Sequence, residues 1–569
     1  MKLTRRQALM LLGSAAPALA LRSTLARAQA STSSNSNLTI EPGPFSGTRD
    51  SLAAYQIPDW YKDAKFGIWA HWGPQSGIED GDWYARNMYM QGSDQYEYGA
   101  ETFGHPSKVG YKDLIPTFKA AKWDPEHLMD LYVKAGAKYF VSMGVHHDNF
   151  DMWDSKYHQR WNAVATGPHK DIVGMWAKAA RARGLRFGVS EHLSNSFDWY
   201  APAHGSDTTG DFAGVPYDGS DPNFADLYHS YADMPAGFAT TAMAMGRIAS
   251  DAWKQEYFNR IKDLTDQHQP DLLYTDGGIP FEEYGLSLVA NVYNLSAKLH
   301  GGKVEAVYNS KTITDCTTGV CALDRERGVS DDIWPTTWQT DTCIGNWHYK
   351  RGVHYKTGKK VVDLLVDIVS KNGNLLLNFP LPNSGELDVE ELQTLSDFTK
   401  WMTVNSEGIY ASRPWKIFGE GPGTKIAPPP PGGPGGPGGG GGGGGFGGAG
   451  GARPPVPPGG GGPGMAAGTN RGRFNENQVA ELTSMDVRFT TKGNLLYAFV
   501  QGWPDNKTAV VQSLATTSPQ MPGKIANVQM LGYDGNLQFT QDEKGLSVTL
   551  PDTKPDGADI GITLKITGA

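Results

Sequence analysis

Between residues 60 and 400 the chain alternates short apolar runs with amphipathic stretches, and this alternation limits its fold more than any other feature. The runs are "FGIWAHW" from Phe66, "YFVSMGV" from Tyr139, "LRFGVSEH" from Leu185, "DLLYTDG" from Asp271, "KVEAVYN" from Lys303, "VCALDRE" from Val320, "WQTDTCIG" from Trp338 and "NLLLNFP" from Asn374. They are β-branched, aromatic and too short for helices. Leu128, Leu131, Tyr132 and Ala135 follow helical spacing, as do Val361, Leu364, Leu365 and Ile368. Strands alternating with helices predict a parallel sheet with crossover helices, and eight strands predict a closed (β/α)₈-type barrel. An open doubly wound sheet is the competitor, but no Gly-rich phosphate loop follows the first strand. A chain of 569 residues, 39% hydrophobic, has room for such a barrel and one smaller domain.

After Trp415 the pattern changes. "TSMDVRFTTKGNLLYAFVQGWP" and "LQFTQDEKGLSVTLP" alternate with period two around Lys-Gly turns, and "IGITLKITGA" ends the chain. This predicts an antiparallel β-sandwich over residues 413–569, following a catalytic domain over 31–412. The Gly/Pro-rich segment at about 426–472 has almost no apolar side chain to bury, which predicts disorder. "RPWKIFGEGP" before it already has β character, so the segment is read as a loop inserted within the β domain.

Residues 1–30 have a basic start, a modest apolar stretch and a small-residue end, the pattern of an export signal. Arg5-Arg6 followed by Leu9 points to the twin-arginine route, with a plain secretory signal or an uncleaved anchor as alternatives. Arg22 interrupts the apolar stretch, so no membrane span is expected in the mature chain. The chain is therefore read as an exported bacterial protein, periplasmic or extracellular. Loss of residues 1–30 would deepen the net charge from −9 to about −14. No basic patch stands out, which argues against a nucleic-acid partner. Cys316 and Cys321 are close enough for a local bridge in an oxidising compartment, and Cys343 is left over.

The second strand runs into "VSMGVHHDNFDMWDS", residues 141–155, and other strands also end in polar groups: His71, Glu191-His192, Asp276, Asn309 and Glu326. Carboxylates inside a packed barrel would carry a heavy desolvation cost. Polar ends of separate strands converge at the barrel's C-terminal face, where catalytic sites form. With Trp69, Trp72, Trp83, Trp338 and Trp347 nearby, the mixture suits a sugar: imidazoles and acids bind hydroxyls, and aromatic faces pack on C–H surfaces. The alternative for His146, His147 and Asp148 is a metal site. Neighbouring residues of a strand point oppositely, which argues against the histidine pair sharing one ion.

The motifs "KFGIWAHWG", "VHHDNFDMWDS", "FGVSEHLSNSFDW", "DLLYTDGG", "LDRERG", "PTTWQTDTCIGNWHY", "SKNGNLLLNFPLPNSGEL", "VNSEGIYASRPW" and "DVRFTTKGNLLYAFV" together resemble the α-L-fucosidases of glycoside hydrolase family 29. The likeness covers roughly residues 55 to 569 apart from the insert. It implies a retaining exo-α-L-fucosidase acting on fucosylated oligosaccharides or polysaccharides, with no metal or organic cofactor. The family's nucleophile falls on Asp276, its fucose-binding histidines on His71, His146 and His147, and its acid–tryptophan pair on Asp82-Trp83. Trp347 would wall the pocket for the sugar's methyl group. A tyrosine found in many members is absent, leaving its place to Glu191 or His192. A common arginine is also absent, with Lys311 nearest. Glu326 is the leading acid/base candidate, followed by Glu191 and then Asp331, Asp332 and Asp341. A structural ion pair with Arg325 or Arg327 is the alternative role for Glu326. The functional rivals are a non-catalytic fucose-binding protein and a glycosidase for a related sugar such as an α-L-galactoside.

Overall fold

A computed structural model of the chain describes residues 38–424, 481–521 and 523–568. The expected export signal and the Gly/Pro-rich segment lie outside the described residues.

A strand forms at each of the eight apolar runs: β1 (Phe66–Ala70), β2 (Tyr139–Val145), β3 (Arg186–Glu191), β4 (Leu272–Thr275), β5 (Val307–Ser310), β6 (Ala322–Leu323), β7 (Trp338–Cys343) and β8 (Gly373–Asn378). They pair in parallel in the order β6-β5-β4-β3-β2-β1-β8-β7. The ring closes where Asp324 bridges Gln339 and where the Arg325 and Arg327 N–H groups bond the carbonyls of Gln339 and Asp341, both at 2.9 Å. The fifth run becomes a strand only from Val307, because Lys303 and Glu305 pair with each other at its surface end.

Helices lie before and between the strands: α1 (Asp59–Ala64), α2 (Pro125–Lys134), α3 (Ile172–Ala182), α4 (Asp251–His268), α5 (Glu283–Leu299), α6 (Ile313–Thr317), α7 (Gly358–Ser370) and α8 (Val389–Asn405). Asp124 caps α2 by accepting the Glu126 and His127 N–H groups. Leu128, Tyr132 and Ala135 are buried on the predicted face of that segment. No helix among the described residues is long and apolar enough to cross a membrane.

The barrel interior differs from the branched-apolar filling expected of it. Tyr61 of α1 projects into a cluster with Trp69, Tyr139, Val141, Tyr274 and Leu376. The Tyr61 and Tyr139 hydroxyls donate to Gln339 Oε1 at 3.0 and 2.9 Å, and Gln339 Nε2 donates to Asp324 Oδ1 at 2.8 Å. Asn309, read as a residue of the mouth, instead donates to the Tyr61 hydroxyl and the Ala322 carbonyl. These bonds make a polar interior tolerable, although Asn309 Oδ1 and Asp324 Oδ2 have no hydrogen-bond partner among the described residues.

The C-terminal strands are β9 (Arg413–Glu420), β10 (Val487–Lys492), β11 (Leu495–Val500), β12 (Thr508–Val511), β13 (Asn527–Met530), β14 (Gln538–Asp542), β15 (Gly545–Thr549) and β16 (Ile562–Thr567). They form a five-stranded antiparallel sheet, β13-β16-β11-β10-β9, and a three-stranded one, β12-β15-β14. Val487, Phe489, Leu496, Leu564 and Ile566 from the first sheet share a core with Val511, Leu546 and Val548 from the second. The opposite face of the larger sheet meets the barrel helices: Arg488 pairs with Asp367 of α7 at 2.6 Å, and Phe499 lies against Trp401 of α8. Because β9 pairs with β10, residues 425–480 connect neighbouring strands of one sheet.

Candidate active site

The C-terminal ends of β1, β2 and β3, with the loop after β7, bring five histidines together. His71 lies with its ring centroid 4.9 Å from His146, 5.2 Å from His192 and 4.6 Å from His348. His147 completes the group, 4.5 Å from His146 and 5.1 Å from His192. The alternation argument that separated His146 from His147 fails, because β2 ends at Val145 with a register shift against β3 and both histidines lie beyond it. All five are buried. Burial, reinforced by neighbouring imidazoles, holds His71 and His146 well below the ordinary histidine value. His192 is pushed down to about 4 by burial, despite the opposing pull of Asp276. These three rings are neutral at pH 7, able to donate and accept hydrogen bonds.

Asp276 follows β4 directly, with its carboxyl against this cluster. Its Oδ2 lies 3.3 Å from both His147 Nε2 and His192 Nδ1, and its Oδ1 accepts from Lys311 Nζ at 2.6 Å. Gly277, at φ +125°, turns the chain just after the carboxylate, and its carbonyl accepts the Lys311 N–H at 2.8 Å. Burial alone would raise the Asp276 value. The Lys311 charge and the contacts of His192 and His147 outweigh it, leaving the carboxyl well below its ordinary value and ionised. The same Lys311 Nζ donates to Glu326 Oε2 at 2.8 Å. Glu326 sits between Arg325 and Arg327, whose backbone bonds to β7 fix the turn. The arginine side chains go elsewhere, Arg325 over Trp334 and Trp338, Arg327 over Trp347.

Two tryptophans wall this space. Trp347 stacks on His71 at 5.4 Å and meets Trp69 at 5.5 Å. Asp82 accepts the Trp347 and His348 N–H groups at 3.1 and 2.6 Å, so it orients that wall. Trp83 meets His147 edge-on at 5.9 Å. It holds φ +61°, a left-handed conformation costly for a bulky residue and common where a site stores strain.

The structure thus brings together His71, His146, His147, His192, Asp276, Glu326 and Trp347, with Asp82 and Trp83 at the rim. Trp72 packs on Phe118 and Trp123, and Trp338 donates to the Lys371 carbonyl, both outside the cluster. Asp148 is taken up by the Tyr111 hydroxyl at 2.8 Å. Asp331 and Asp332 are exposed, and Asp341 is buried, accepting from the Tyr274 hydroxyl at 2.9 Å. Sequence reasoning missed His348, whose one signal is its place beside Trp347, and the bridging position of Lys311. The ring nitrogens of His71, His146 and His348, or of His146, His147 and His192, lie within 4.8 Å of one another and could hold a metal ion.

Glu191 faces away from the cluster. Its Oε1 accepts from the Tyr257 hydroxyl of α4 at 3.0 Å and its Oε2 from the Leu193 N–H at 2.9 Å. Burial raises it to about 7 against the lowering effect of these bonds. A raised carboxyl makes the fold lose stability as pH climbs from the ordinary value of 4.5 through about 7, since only the unfolded chain gives up the proton early. Glu191→Gln mimics the protonated form. It should match the wild type near pH 4.5, gain about 1–3 kcal/mol at pH 8 and keep kcat/KM within a few-fold. Thermal melts across pH measure this; loss of activity with unaltered melts would return Glu191 to the substrate.

Residues 32–407 match the alpha-L-fucosidase family, and residues 480–567 match the alpha-L-fucosidase C-terminal domain. The chain is 26% identical over 538 residues to human tissue alpha-L-fucosidase, covering 91% of each protein. The fold matches that of Thermotoga maritima alpha-fucosidase solved with fucose, at a TM-score of 0.62 and 23% identity, over 92% of this chain and 100% of that one. It also matches a Bacteroides thetaiotaomicron alpha-L-fucosidase solved as a trapped covalent intermediate, at a TM-score of 0.56 and 16% identity, over 90% and 96%. With the profile of the catalytic domain matched over most of the chain and the C-terminal domain following it, the chain belongs to the alpha-L-fucosidase family, glycoside hydrolase family 29.

Proposed function

We propose that Asp276 and Glu326 divide the chemistry of the retaining exo-α-L-fucosidase reaction of this chain, Asp276 as nucleophile and Glu326 as acid/base. The observation that carries this reading is the shared ammonium. Contacts of 2.6 and 2.8 Å to one nitrogen keep an oxygen of each carboxyl within the roughly 5–5.5 Å used by retaining glycosidases. Inverting enzymes need a wider gap, to admit water between the carboxyls.

Asp276 is ionised and points its free lone pairs toward the histidine cluster, where a sugar would sit. Among the described residues, both ring nitrogens of His71 and the Nε2 of His348 lack a hydrogen-bond partner, while His348 Nδ1 lies 3.4 Å from Asp82 Oδ1. Buried and unpaired, they suit sugar hydroxyls, which repay the desolvation. His146 keeps its orientation through Gln75, whose side-chain amide lies 3.0 Å from Nδ1. The face of Trp347 offers an apolar wall to a methyl group and would disfavour a hydroxymethyl by about 1–3 kcal/mol. Asp276 attacks the anomeric carbon while Glu326 protonates the departing oxygen. Glu326 then draws a proton from water as that water displaces Asp276.

Support for a covalent intermediate comes from the Bacteroides relative, trapped in that state. The same reading assigns residues 1–30 to export by the twin-arginine route, residues 31–412 to catalysis and 413–569 to the β domain. The Cys316–Cys321 disulfide agrees with an oxidising compartment. Release of p-nitrophenol tests the reading. The α-L-fucoside should be hydrolysed with kcat/KM about 10–200 times that of the α-L-galactoside. EDTA should leave the rate unchanged. Equal rates on both sugars would point to the broader glycosidase, no turnover with fucose binding to a lectin, and zinc-reversible loss in EDTA to a metal enzyme.

A further inference from the structure

Resting on that assignment, we infer that Lys311 is a positioning residue that serves as a fixed counter-ion for a negative charge that moves between Asp276 and Glu326 during turnover. Its ammonium touches both carboxyls, at 2.6 and 2.8 Å. Its backbone is pinned by the bond from its own N–H to the Gly277 carbonyl. The side chain is thus anchored at its backbone, and the two carboxyls hold its nitrogen between them while the charge is redistributed.

The balance of the reaction defines that redistribution. The retaining mechanism starts with Asp276 as the carboxylate and Glu326 as the acid. The first step forms the bond from Asp276 Oδ to the anomeric carbon as the bond to the aglycone breaks. The released electron pair goes to the aglycone oxygen, which takes the Glu326 proton. Asp276 is now a neutral ester and Glu326 a carboxylate. In the second step Glu326 takes a proton from water, the water oxygen bonds to the anomeric carbon, and the electron pair of the broken ester bond returns to Asp276. One negative charge thus faces Lys311 in both resting states, first from one side and then from the other.

The remaining groups around Lys311 do not supply that role. Tyr274 of β4 lies under it, with the ammonium 5.6 Å from the ring centroid. Asp324 after β6 and Asp341 of β7 lie deeper, and His192 faces it from the end of β3. Burial raises both Asp324 and Asp341 above the ordinary carboxyl range. Burial would lower the Lys311 value, but the Asp276 carboxylate above all holds it well above the ordinary lysine range, so it stays charged.

A counter-ion of this kind acts unequally on the two steps. With an activated aryl fucoside the first step needs no proton from Glu326, so the charge leaves Asp276 with the aglycone, away from Lys311, which offers that step little. In the second step it stabilises the carboxylate that is leaving the sugar. Lys311→Gln should therefore leave kcat/KM for an activated aryl fucoside within about tenfold while lowering kcat by about 10²–10³-fold. A pre-steady-state burst of aryl release and accumulation of fucosyl-enzyme by mass spectrometry should accompany that loss. Azide should rescue it little, because the defect lies in the leaving carboxylate and not in the activation of water. Lys311→Arg should restore kcat to within about tenfold.

Parallel losses in kcat and kcat/KM without a burst would overturn the inference, reducing Lys311 to a structural pin. An unchanged kcat would overturn it equally. If Lys311→Gln fails to fold, Lys311→Arg carries the test, and a parallel hundredfold loss of both constants in that variant overturns the inference. Failure of the Asp276–Glu326 assignment would look different: Glu326→Ala would then respond neither to leaving group nor to azide, whatever Lys311 does.

Discussion

Asp276→Ala is expected to lower kcat on an aryl α-L-fucoside by about 10⁴–10⁶-fold. The loss follows from removing the atom that forms the covalent bond, since His147 and His192 can hold the sugar but cannot replace a carboxylate at the anomeric carbon. The variant should remain folded, because Asp276 ends a strand and fills no core position, and Lys311 keeps Glu326 as a partner at 2.8 Å. It should nonetheless be less stable at neutral pH. The Asp276 carboxyl is held well below its ordinary value of 3.8, so its contribution to stability is present above that value and is lost as pH falls through the folded value. Thermal melts of the variant and wild type should lie apart at pH 7 and converge in strong acid. Azide, if it enters the vacated space, attacks the bound fucoside directly and gives the inverted β-fucosyl azide. A folded variant with near-normal turnover would remove Asp276 from the mechanism.

The fold was legible because parallel strands covered on both faces tend to read as near-continuous apolar runs. Eight such runs stand out between amphipathic helices, and each forms a strand. The β-sandwich was legible from its period of two, although the larger sheet is buried on both faces, through Phe489 on one side and Arg488 on the other. What the polar strand ends could not reveal was depth. Asn309, Glu191 and Glu326 look alike in sequence, yet Asn309 points into the barrel interior, Glu191 toward α4 and Glu326 toward the mouth. A one-residue step along a strand reverses a side chain, and a register shift such as that before Val145 alters the count. The barrel's inner hydrogen-bond chain from Tyr61 to Asp324 escaped notice for a related reason. Its members come from separate segments, and nothing in their spacing marks them as partners.

The position of Lys311 bears on the departures this chain shows. Lys311 presents one compact charge on a flexible stem where the family resemblance implies an arginine, and that charge reaches two carboxyls at once. Glu326 is thereby tied to the nucleophile by an observed contact. The Arg325 guanidinium, one expected ion-pair partner of Glu326, instead lies over Trp334 and Trp338.

Glu326→Ala should separate substrates by their leaving groups. A fucoside of a sugar alcohol leaves as a poor anion and needs its oxygen protonated, so kcat/KM should fall by about 10²–10⁴-fold. A dinitrophenyl fucoside needs almost no protonation, so its kcat/KM should stay near the wild-type value. Its kcat should still fall, because water must then displace Asp276 without a base, and fucosyl-enzyme should accumulate. Azide needs no base and can occupy the space left by the carboxyl, which is partly open to solvent with 45% of the side chain exposed. It should therefore raise kcat, and the product should be the α-fucosyl azide, because Asp276 has already inverted the centre once and azide inverts it again. The configuration of the azide thus tells the two variants apart: α from Glu326→Ala, β from Asp276→Ala. A Glu326→Ala enzyme equally slow on good and poor leaving groups, and indifferent to azide, would leave Glu326 as a structural partner of Lys311. The acid/base search would then move to the remaining carboxyls, among them Asp341, whose charge acts on Lys311 and which accepts from the Tyr274 hydroxyl.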